Sequence, residues 1–239
     1  MSNFAEREAL EYLVGLGETE VLEIDGKKFT TNQVYKVKDP VPAELGVTTL
    51  TALVDYIKND IDPKYGEKLL MHVKSPERVI LYSTLREDKE RETYIEAKAL
   101  LPDNIYFNDF LDTERFNIML QSSFIDGKDR ALLLKVVGNI KDSAVKQVGD
   151  DGVSQSATIK TGVASVHDVV VPNPVILAPF RTFPEIEQPE SKFIFRMQSG
   201  PAAALFEADG GAWRNEAMSR IKKYLEDALK DIKAVKVIS

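Results

Sequence analysis

The chain has 239 residues, and its 31 Lys and Arg against 38 Asp and Glu give a net charge of −7. With no Cys and only two His, the composition excludes disulfides, thiol catalysis and metal sites built from Cys or from several His. The acidic balance and the lack of a basic block argue against direct binding of nucleic acid. No stretch approaches the roughly 20 apolar residues that span a bilayer, so no membrane partner is expected.

The first residues carry no basic stretch followed by an apolar core, so the sequence predicts no signal peptide. The absence of Cys agrees with a cytosolic protein. Apolar residues three and four positions apart predict a helix over 4–16, which Gly15 and Gly17 end. Asp25-Gly26 between strand-like flanks predicts a β-hairpin, because this pair tolerates the positive φ angles of a tight turn.

Pro40 and Pro42 mark a connector before a second helix, which Thr48 or Thr49 caps. The run 86–92 is polar and should be an exposed loop. Strands are predicted on either side of this run, and they cover 68–73, 78–82 and 93–100.

The middle of the chain is predicted to be helical. Asp112 caps one helix and Asp126 caps the next, with Asp129 near the positive end of the second. The apolar residues of the two helices are Phe116, Met119, Leu120 and Phe124, then Leu132, Leu133, Val136, Val137 and Ile140. The polar stretch 141–152 is the best candidate for a mobile connection.

The last third is predicted to be mostly strand. The stretch 153–163 alternates apolar and polar residues at period two. Short apolar runs at 169–171 and 175–177 are separated by Pro172-Asn173-Pro174, and prolines there indicate a sheet edge or a crossover between sheets. The stretch 192–198 also alternates, and 202–207 should return antiparallel after a turn.

Asp209-Gly210-Gly211 leads into the clearest helix, whose apolar residues are Trp213, Ala217, Ile221, Tyr224, Leu225, Ala228 and Ile232. The elements together predict an α+β fold with mostly antiparallel sheets, packed helices and a long C-terminal helix. We expect an α+β part over 1–105. Over 106–239 we expect a helical hairpin, a β-rich part and the last helix, and the two parts could form a single compact domain.

Catalytic chemistry finds little support in the sequence. His167 and Asp168 are neighbours on a predicted strand, so they point to opposite faces and cannot orient each other unless the backbone bends. Asp150-Asp151, or Glu207 with Asp209, could hold a divalent cation, but neither pair belongs to a spaced acidic motif. The sequence therefore predicts a protein that is not an enzyme, with no cofactor and no metal, and a metal-dependent hydrolase is the minor alternative.

The residues best suited to bind a ligand lie in the C-terminal third. Arginine offers a planar donor fork for phosphate, and aromatic rings can stack on a base. Glycines before a helix can expose amides that favour an anion. The candidate ligand-binding residues are Arg181, Phe183, Arg196, Gln198, Gly210, Gly211, Trp213 and Arg214.

A purely structural alternative stays open for all of these residues. The arginines could pair with nearby carboxylates, the glycines could form only a turn, and the aromatic residues could be core. The carboxylates in question are Glu185, Glu187, Glu190 and Glu207.

Several stretches of the sequence together carry a family resemblance. They are Leu50-Thr-Ala-Leu-Val-Asp-Tyr-Ile-Lys-Asn, Asp151-Gly-Val-Ser-Gln-Ser, Val171-Pro-Asn-Pro-Val, Ala178-Pro-Phe-Arg-Thr-Phe-Pro-Glu, Phe195-Arg-Met-Gln-Ser-Gly-Pro and Leu205-Phe-Glu-Ala-Asp-Gly-Gly-Ala-Trp. On these stretches the chain resembles an uncharacterised family of tailed-phage and prophage proteins, the YfdQ-like family of unknown function, over nearly its whole length. The resemblance implies a phage protein made in the host bacterial cytoplasm, and it implies no activity and no catalytic residues.

The favoured hypothesis is a non-enzymatic binding protein that acts in counter-defence by sequestering a small anionic, nucleotide-type immune signal of the bacterial host. Deep pockets often form between subunits, so we expect a homo-oligomer. The alternatives are an accessory protein for phage DNA replication or recombination, a protein–protein inhibitor of a host factor, and the metal-dependent hydrolase. A large exposed apolar patch would favour the inhibitor.

Overall fold

The structure is a computed structural model, and it describes residues 2–17, 19–24, 26–31, 43–62, 68–87, 89–138, 149–150, 155–161, 165–198, 200 and 202–239. The chain forms two compact units, 1–41 and 42–239. No helix among the described residues is both long and apolar enough to cross a membrane.

The first unit contains a helix and a β-hairpin. Helix α1 spans Ser2–Leu16, and strands β1 (Val21–Ile24) and β2 (Lys27–Thr30) pair antiparallel. Gly26 has a φ of 72°, which is the left-handed conformation that the tight turn requires. The predicted helix and hairpin are both confirmed.

The second unit begins with the elements that precede residue 100. They are β3 (Leu45–Val47), α2 (Leu50–Lys58), β4 (Leu69–Ser75), β5 (Arg78–Ser83) and β6 (Thr93–Lys98). The remaining elements are β7 (Leu111–Asp112), α3 (Thr113–Ser123), α4 (Lys128–Gly138), β8 (Gly149–Asp150), β9 (Gln155–Thr161), β10 (Ser165–Val171), β11 (Val175–Leu177), β12 (Ser191–Gln198), β13 (Ala202–Glu207), α5 (Ala212–Ala228) and β14 (Val235–Ile238). The α+β class and the mostly antiparallel pairing are confirmed, and α5 has 17 residues.

A five-stranded mixed sheet has the order β14-β4-β5-β6-β3. The central pairs are antiparallel, whereas β14 and β3 join the two edges in parallel. Thr49 caps α2, because its Oγ1 accepts a hydrogen bond of 3.2 Å from the Ala52 amide. Buried side chains of α2, the sheet and α5 form the first hydrophobic core, which includes Leu53, Met71, Ile95, Ile221 and Leu225.

A four-stranded antiparallel sheet has the order β11-β12-β13-β7. Helices α3 and α4 and this sheet enclose a second core, which includes Phe116, Leu120, Val136, Phe193 and Phe195. Asp112 caps α3 as predicted, since its Oδ1 accepts from the Arg115 amide at 2.9 Å.

A third sheet has the order β10-β9-β8, and the chain passes from its edge strand β10 to the edge strand β11 of the four-stranded sheet. The predicted crossover at Pro172-Asn173-Pro174 is therefore confirmed. The Asn173–Pro174 bond is cis. Asn173 ties the crossover to β12, because its Oδ1 accepts from the Phe195 amide at 2.8 Å.

The first core combines residues from distant parts of the chain. The first core is built mainly from residues before 102, but α5 and β14 return to complete it. The second core is built from residues between 107 and 205. Both cores lie in the compact unit 42–239.

Three local predictions are wrong. Helix α4 begins at Lys128, and Asp126 forms an ion pair with Arg130 instead of capping the helix. Asp129 accepts a hydrogen bond of 2.7 Å from the Ile176 amide, so it links α4 to β11. Helix α5 ends at Ala228, and Ile232 lies in the following turn. The predicted connector at 40–42 and most of the predicted connection 141–152 lie outside the described residues. Within that connection Gly149 and Asp150 form strand β8 and pair with β9, so at these two residues the prediction is wrong.

Candidate functional site

Arg181 occupies the centre of a polar cluster between the four-stranded sheet and the start of α5. Its side chain is buried, Nη1 donates to Glu207 Oε1 at 2.9 Å, and Nη2 donates to the Ser191 hydroxyl. The guanidinium carbon lies 3.9 Å from the centroid of the Trp213 ring, which is a cation–π contact. We call Arg181, Ser191, Glu207, Asp209 and Trp213 the Arg181 cluster.

Asp209 joins this cluster to the first turn of α5. Ser191 Oγ donates to Asp209 Oδ2 at 2.6 Å, and the Gly211 amide donates to Asp209 Oδ1 at 2.9 Å. Gly210 and Gly211 have φ angles of 63° and 80°, so two successive left-handed residues make the sharp turn into the helix. The sequence folds this way because glycine adopts that conformation without steric cost.

The charges of the cluster are set by burial and by these contacts. Burial lowers the pKa of Arg181 to about 10, and the nearby charge of Arg214 acts in the same direction, while Glu207 and Asp209 oppose the shift. Burial raises the pKa of Asp209, but hydrogen bonds from Ser191 and two backbone amides outweigh burial and hold that pKa below its usual value. Both groups are therefore charged at neutral pH.

A short segment, 181–190, is held in place by the buried side chain of Gln188. Its Oε1 accepts from the Arg181 and Thr182 amides at 2.9 and 3.2 Å, and its Nε2 donates to the Phe183 carbonyl at 3.1 Å. The segment is also tied to α2, because Glu185 Oε1 accepts from the Thr51 amide at 2.9 Å. These bonds fix the segment in one conformation.

A cleft of about 740 Å³ opens beside the Arg181 cluster, and we call it the Trp213 cleft. Its size lies within the range of ligand pockets, roughly 300–1,000 Å³. It is lined by Ile176, Glu187, Glu190, Ser191, Lys192, Ala208, Asp209, Ala212, Trp213, Glu216 and Arg220. A second, more apolar cavity of about 420 Å³ shares Glu187 and Glu190 with it, so the 181–190 segment forms a wall between the two.

The lining of the Trp213 cleft is net acidic, since four carboxylates face two cationic side chains. One of the cations, Arg220, is already engaged. Its Nη1 donates to the Glu187 carbonyl and Oε2 at 2.9 and 3.0 Å, and its Nη2 pairs with Glu216. Among the described residues neither Glu190 nor Lys192 has a side-chain partner, so these two side chains are available to a ligand.

The structure brings together five of the predicted ligand-binding residues. Arg181, Gly210, Gly211 and Trp213 meet at the cluster, and the guanidinium carbon of Arg214 lies 5.0 Å from the centroid of the Trp213 ring. Arg181 is bound to Glu207, as the structural alternative proposed. The Gly211 amide is bonded to Asp209, so it is not open to an anion.

The other three predicted residues lie elsewhere. Phe183 is fully buried in the first core and does not border the cleft. Arg196 and Gln198 do share one face of β12, as predicted, but that face is opposite to Ser191. At about 3.3 Å per residue, Arg196 is about 17 Å further along the strand than Ser191.

Sequence reasoning missed four residues that shape the site, namely Gln188, Ser191, Glu216 and Arg220. Glu216 and Arg220 are four residues apart on a helix, a spacing that brings two side chains together. The roles of Gln188 and Ser191 carry no local signal, because their partners are set by the tertiary fold.

The residues considered for catalysis belong to different elements of the described part of the chain. Among the described residues, no group of three or more His, Asp or Glu side chains could hold a metal ion. Glu207 and Asp209 are each engaged within the Arg181 cluster. His167 and Asp168 are consecutive residues of β10, opposite Ile159 and Thr158 of β9.

Comparison with known proteins adds no relative: no family model, no curated protein and no solved structure matches this chain.

Proposed function

We propose that the protein is a non-enzymatic binding protein that holds a small nucleotide-type ligand in the Trp213 cleft. The observation that carries this proposal is the cleft itself, a space of about 740 Å³ bordered by Trp213 and by polar groups that the Arg181 cluster fixes. Sites of this kind bind tightly because few groups have to be ordered when the ligand arrives.

The charge of the lining determines which end of a nucleotide would enter. Phosphate would be repelled by the carboxylates of Glu190 and Asp209, whereas the amino group of an adenine or cytosine base would donate to the available carboxylate of Glu190. The phosphate would then lie at the margin, near Lys192 and Arg214. The anionic ligand expected from the sequence is retained, with its base inside the cleft.

The resemblance to phage proteins supplies the biological setting of the proposal. A phage protein in the host bacterial cytoplasm that holds a nucleotide-type immune signal would act in counter-defence by sequestration. Such capture requires nanomolar affinity, about −12 kcal/mol. We also propose that the protein is a homo-oligomer, since pockets for such ligands often lie near subunit contacts.

The proposal is tested by titration calorimetry of the full-length protein with adenosine, AMP, cytidine, CMP and uridine. We expect the amino-bearing bases to bind and uridine to bind at least tenfold more weakly. Glu190→Gln should weaken adenosine binding, whereas Glu114→Gln, an exposed change on α3, should not. Failure of all five compounds to bind would overturn the proposed ligand class.

A further inference from the structure

The five-stranded sheet turns one of its faces, which carries Met71, towards the first core. Because side chains alternate along a strand, the residues between the core positions point the other way and form what we call the outer face of this sheet. The strand register places Leu70 opposite Tyr82 and His72 opposite Ile80 on the outer face. As far as the chain is described, the two cores include none of these four residues.

Two rings lie next to each other on the outer face. His72 and Tyr82 are on neighbouring strands, with ring centroids 6.5 Å apart and ring planes inclined by 36°. Both residues are half-buried, so part of each side chain is exposed to solvent. Sheets with exposed rings bind single-stranded nucleic acid by stacking unpaired bases on those rings.

Cationic side chains accompany the two rings. Arg78 and Lys98 lie opposite each other on β5 and β6, and Lys74 on β4 and Lys236 on β14 lie on the same face. Among the described strand residues of this sheet Glu96 is the only carboxylate, and it is ion-paired with Arg78. The outer face is therefore net positive, although the whole chain has a net charge of −7.

Three of these cations are available to phosphate. Lys74, Lys98 and Lys236 are exposed, and no ion pair joins them to another described residue. Lys236 lies in the same row across the sheet as Tyr82. Lys98 lies in the row of Arg78, which is four residues or about 13 Å from Tyr82 along β5. The cations therefore lie at both ends of the ring pair.

We infer that the outer face of the five-stranded sheet binds single-stranded DNA, with bases stacked on His72 and Tyr82 and phosphates contacted by the lysines. A single strand is favoured over a duplex because only unpaired bases expose their flat faces to the rings. DNA is favoured over RNA because the apolar side chains of Leu70 and Ile238 suit the methyl group of thymine. The carboxylate of Glu96 is already ion-paired, so it is not available to a 2′-hydroxyl group.

The outer face is a second site, and the inference goes beyond the proposed function. No described residue of the five-stranded sheet lines the Trp213 cleft. The acidic balance of the whole chain argues against direct binding of nucleic acid, but binding depends on the charge of the surface that meets the phosphates. The fold collects cations on this face and leaves them a single, neutralised carboxylate.

The test is fluorescence anisotropy of the full-length protein with a labelled oligothymidylate of about 12 nucleotides, a length within the site sizes of single binding domains. We expect binding that weakens with salt, with a slope of log K against log salt concentration of about −2 for three phosphate contacts. A duplex and an oligouridylate of the same length should each bind roughly fivefold more weakly or worse.

Two variants separate stacking from charge. Tyr82→Leu removes the ring but keeps an apolar side chain, so it should weaken oligothymidylate binding roughly fivefold and leave the salt slope unchanged. Lys98→Ala should weaken binding and reduce the size of the slope by about 0.7. The matched controls are Tyr106→Leu and Lys128→Ala, because both residues are exposed and lie outside this sheet. Far-ultraviolet circular dichroism verifies that each variant is folded.

Four outcomes would overturn the inference. They are no binding at low salt, binding that both variants leave unchanged, an equal loss in the controls, and equal affinity for the duplex or the oligouridylate. Binding of polyglutamate but not of oligothymidylate would assign the face to an acidic protein partner and would also overturn it. None of these outcomes bears on calorimetric binding in the Trp213 cleft, so the two proposals fail separately.

Discussion

The planar guanidinium of Arg181 lies against the indole ring of Trp213, with 3.9 Å between the guanidinium carbon and the ring centroid. This contact attaches the segment after β11 to the first turn of α5. Trp213 is 7% exposed, so the cation and the ring are both largely removed from water. Cation–π contacts strengthen under such desolvation. The wall of the Trp213 cleft is therefore held by two residues that also hold the fold.

Replacing Arg181 should destabilise the protein rather than only weaken ligand binding. Arg181→Met leaves Glu207 and Ser191 without their donor, and we expect a loss of about 3 kcal/mol in unfolding free energy. Arg181→Lys keeps the charge but cannot reach both partners with a planar fork, so an intermediate loss is expected. Urea denaturation measures both, and a loss below about 0.5 kcal/mol for Arg181→Met would contradict the role assigned here.

Gln188→Glu changes a single group of the buried side chain. The new carboxylate oxygen would face the Phe183 carbonyl, where the amide now donates at 3.1 Å. We expect a loss of about 2–4 kcal/mol at neutral pH, which shrinks as acid protonates the carboxyl group. Gln198→Glu, at an exposed position of β12, is the control and should change stability by less than about 0.5 kcal/mol.

Asp209 should make stability depend on pH in the acid range. The pKa of Asp209 is lower in the folded protein than in the unfolded chain. Its contribution to folding stability is therefore complete above the usual Asp pKa of about 4, and it is lost as the pH falls towards the pKa of the folded protein. Asp209→Asn should be less stable than wild type at neutral pH and should lose less stability between about pH 5 and pH 3. Equal slopes for the two proteins in denaturation at stepped pH would contradict this assignment.

Gly211→Ala should be destabilising because of its backbone angle. The φ of 80° costs an L-residue roughly 1–2 kcal/mol, and the added Cβ would lie against Nη1 of Arg214. Since that side chain can swing away, adding Arg214→Ala should restore only a small part of the loss. Gly46→Ala, which meets no atom within 4 Å and has an ordinary φ, is the control and should be near neutral.

Lys192→Ala should distinguish binding of the phosphate from binding of the base of the proposed ligand. The substitution removes the charge pair between Lys192 and the phosphate, which is worth about 1 kcal/mol. We therefore expect AMP binding to weaken roughly fivefold and adenosine binding to be unchanged. Lys222→Ala, on α5 outside the cleft lining, is the control. If adenosine and AMP were affected equally, the phosphate would not lie at Lys192.

The sequence predicted most helices and longer strands because their signals are local. Phe193, Phe195 and Met197 alternate with exposed residues on β12, and Thr49 and Asp112 cap α2 and α3 as expected. The short strands β3, β7, β8 and β14 were not predicted, because two to four residues carry too little periodicity. Their positions depend on the neighbouring strands that they join.

The candidate site was predicted only in part, for a similar reason. Arg181, Trp213 and the two glycines could be singled out because their residue types alone suggest a role. The separation of Arg196 from them follows from the strand that carries it, and the role of Gln188 follows from a loop that folds back on itself. The carboxylates were identified as possible partners of the arginines, but their concentration around one cleft depends on the fold.

The return of α5 and β14 to the first sheet has a consequence for protein synthesis. Strand β4 leaves the ribosome early, but its parallel neighbour β14 is made only after every helix and strand of the second core. During translation β4 is therefore an unpaired edge, and Met71 and Leu53 lack the cover of Ile221 and Leu225. The first sheet can mature only after the whole second core has been made, so emergence of the N-terminal half alone does not start the final step of folding.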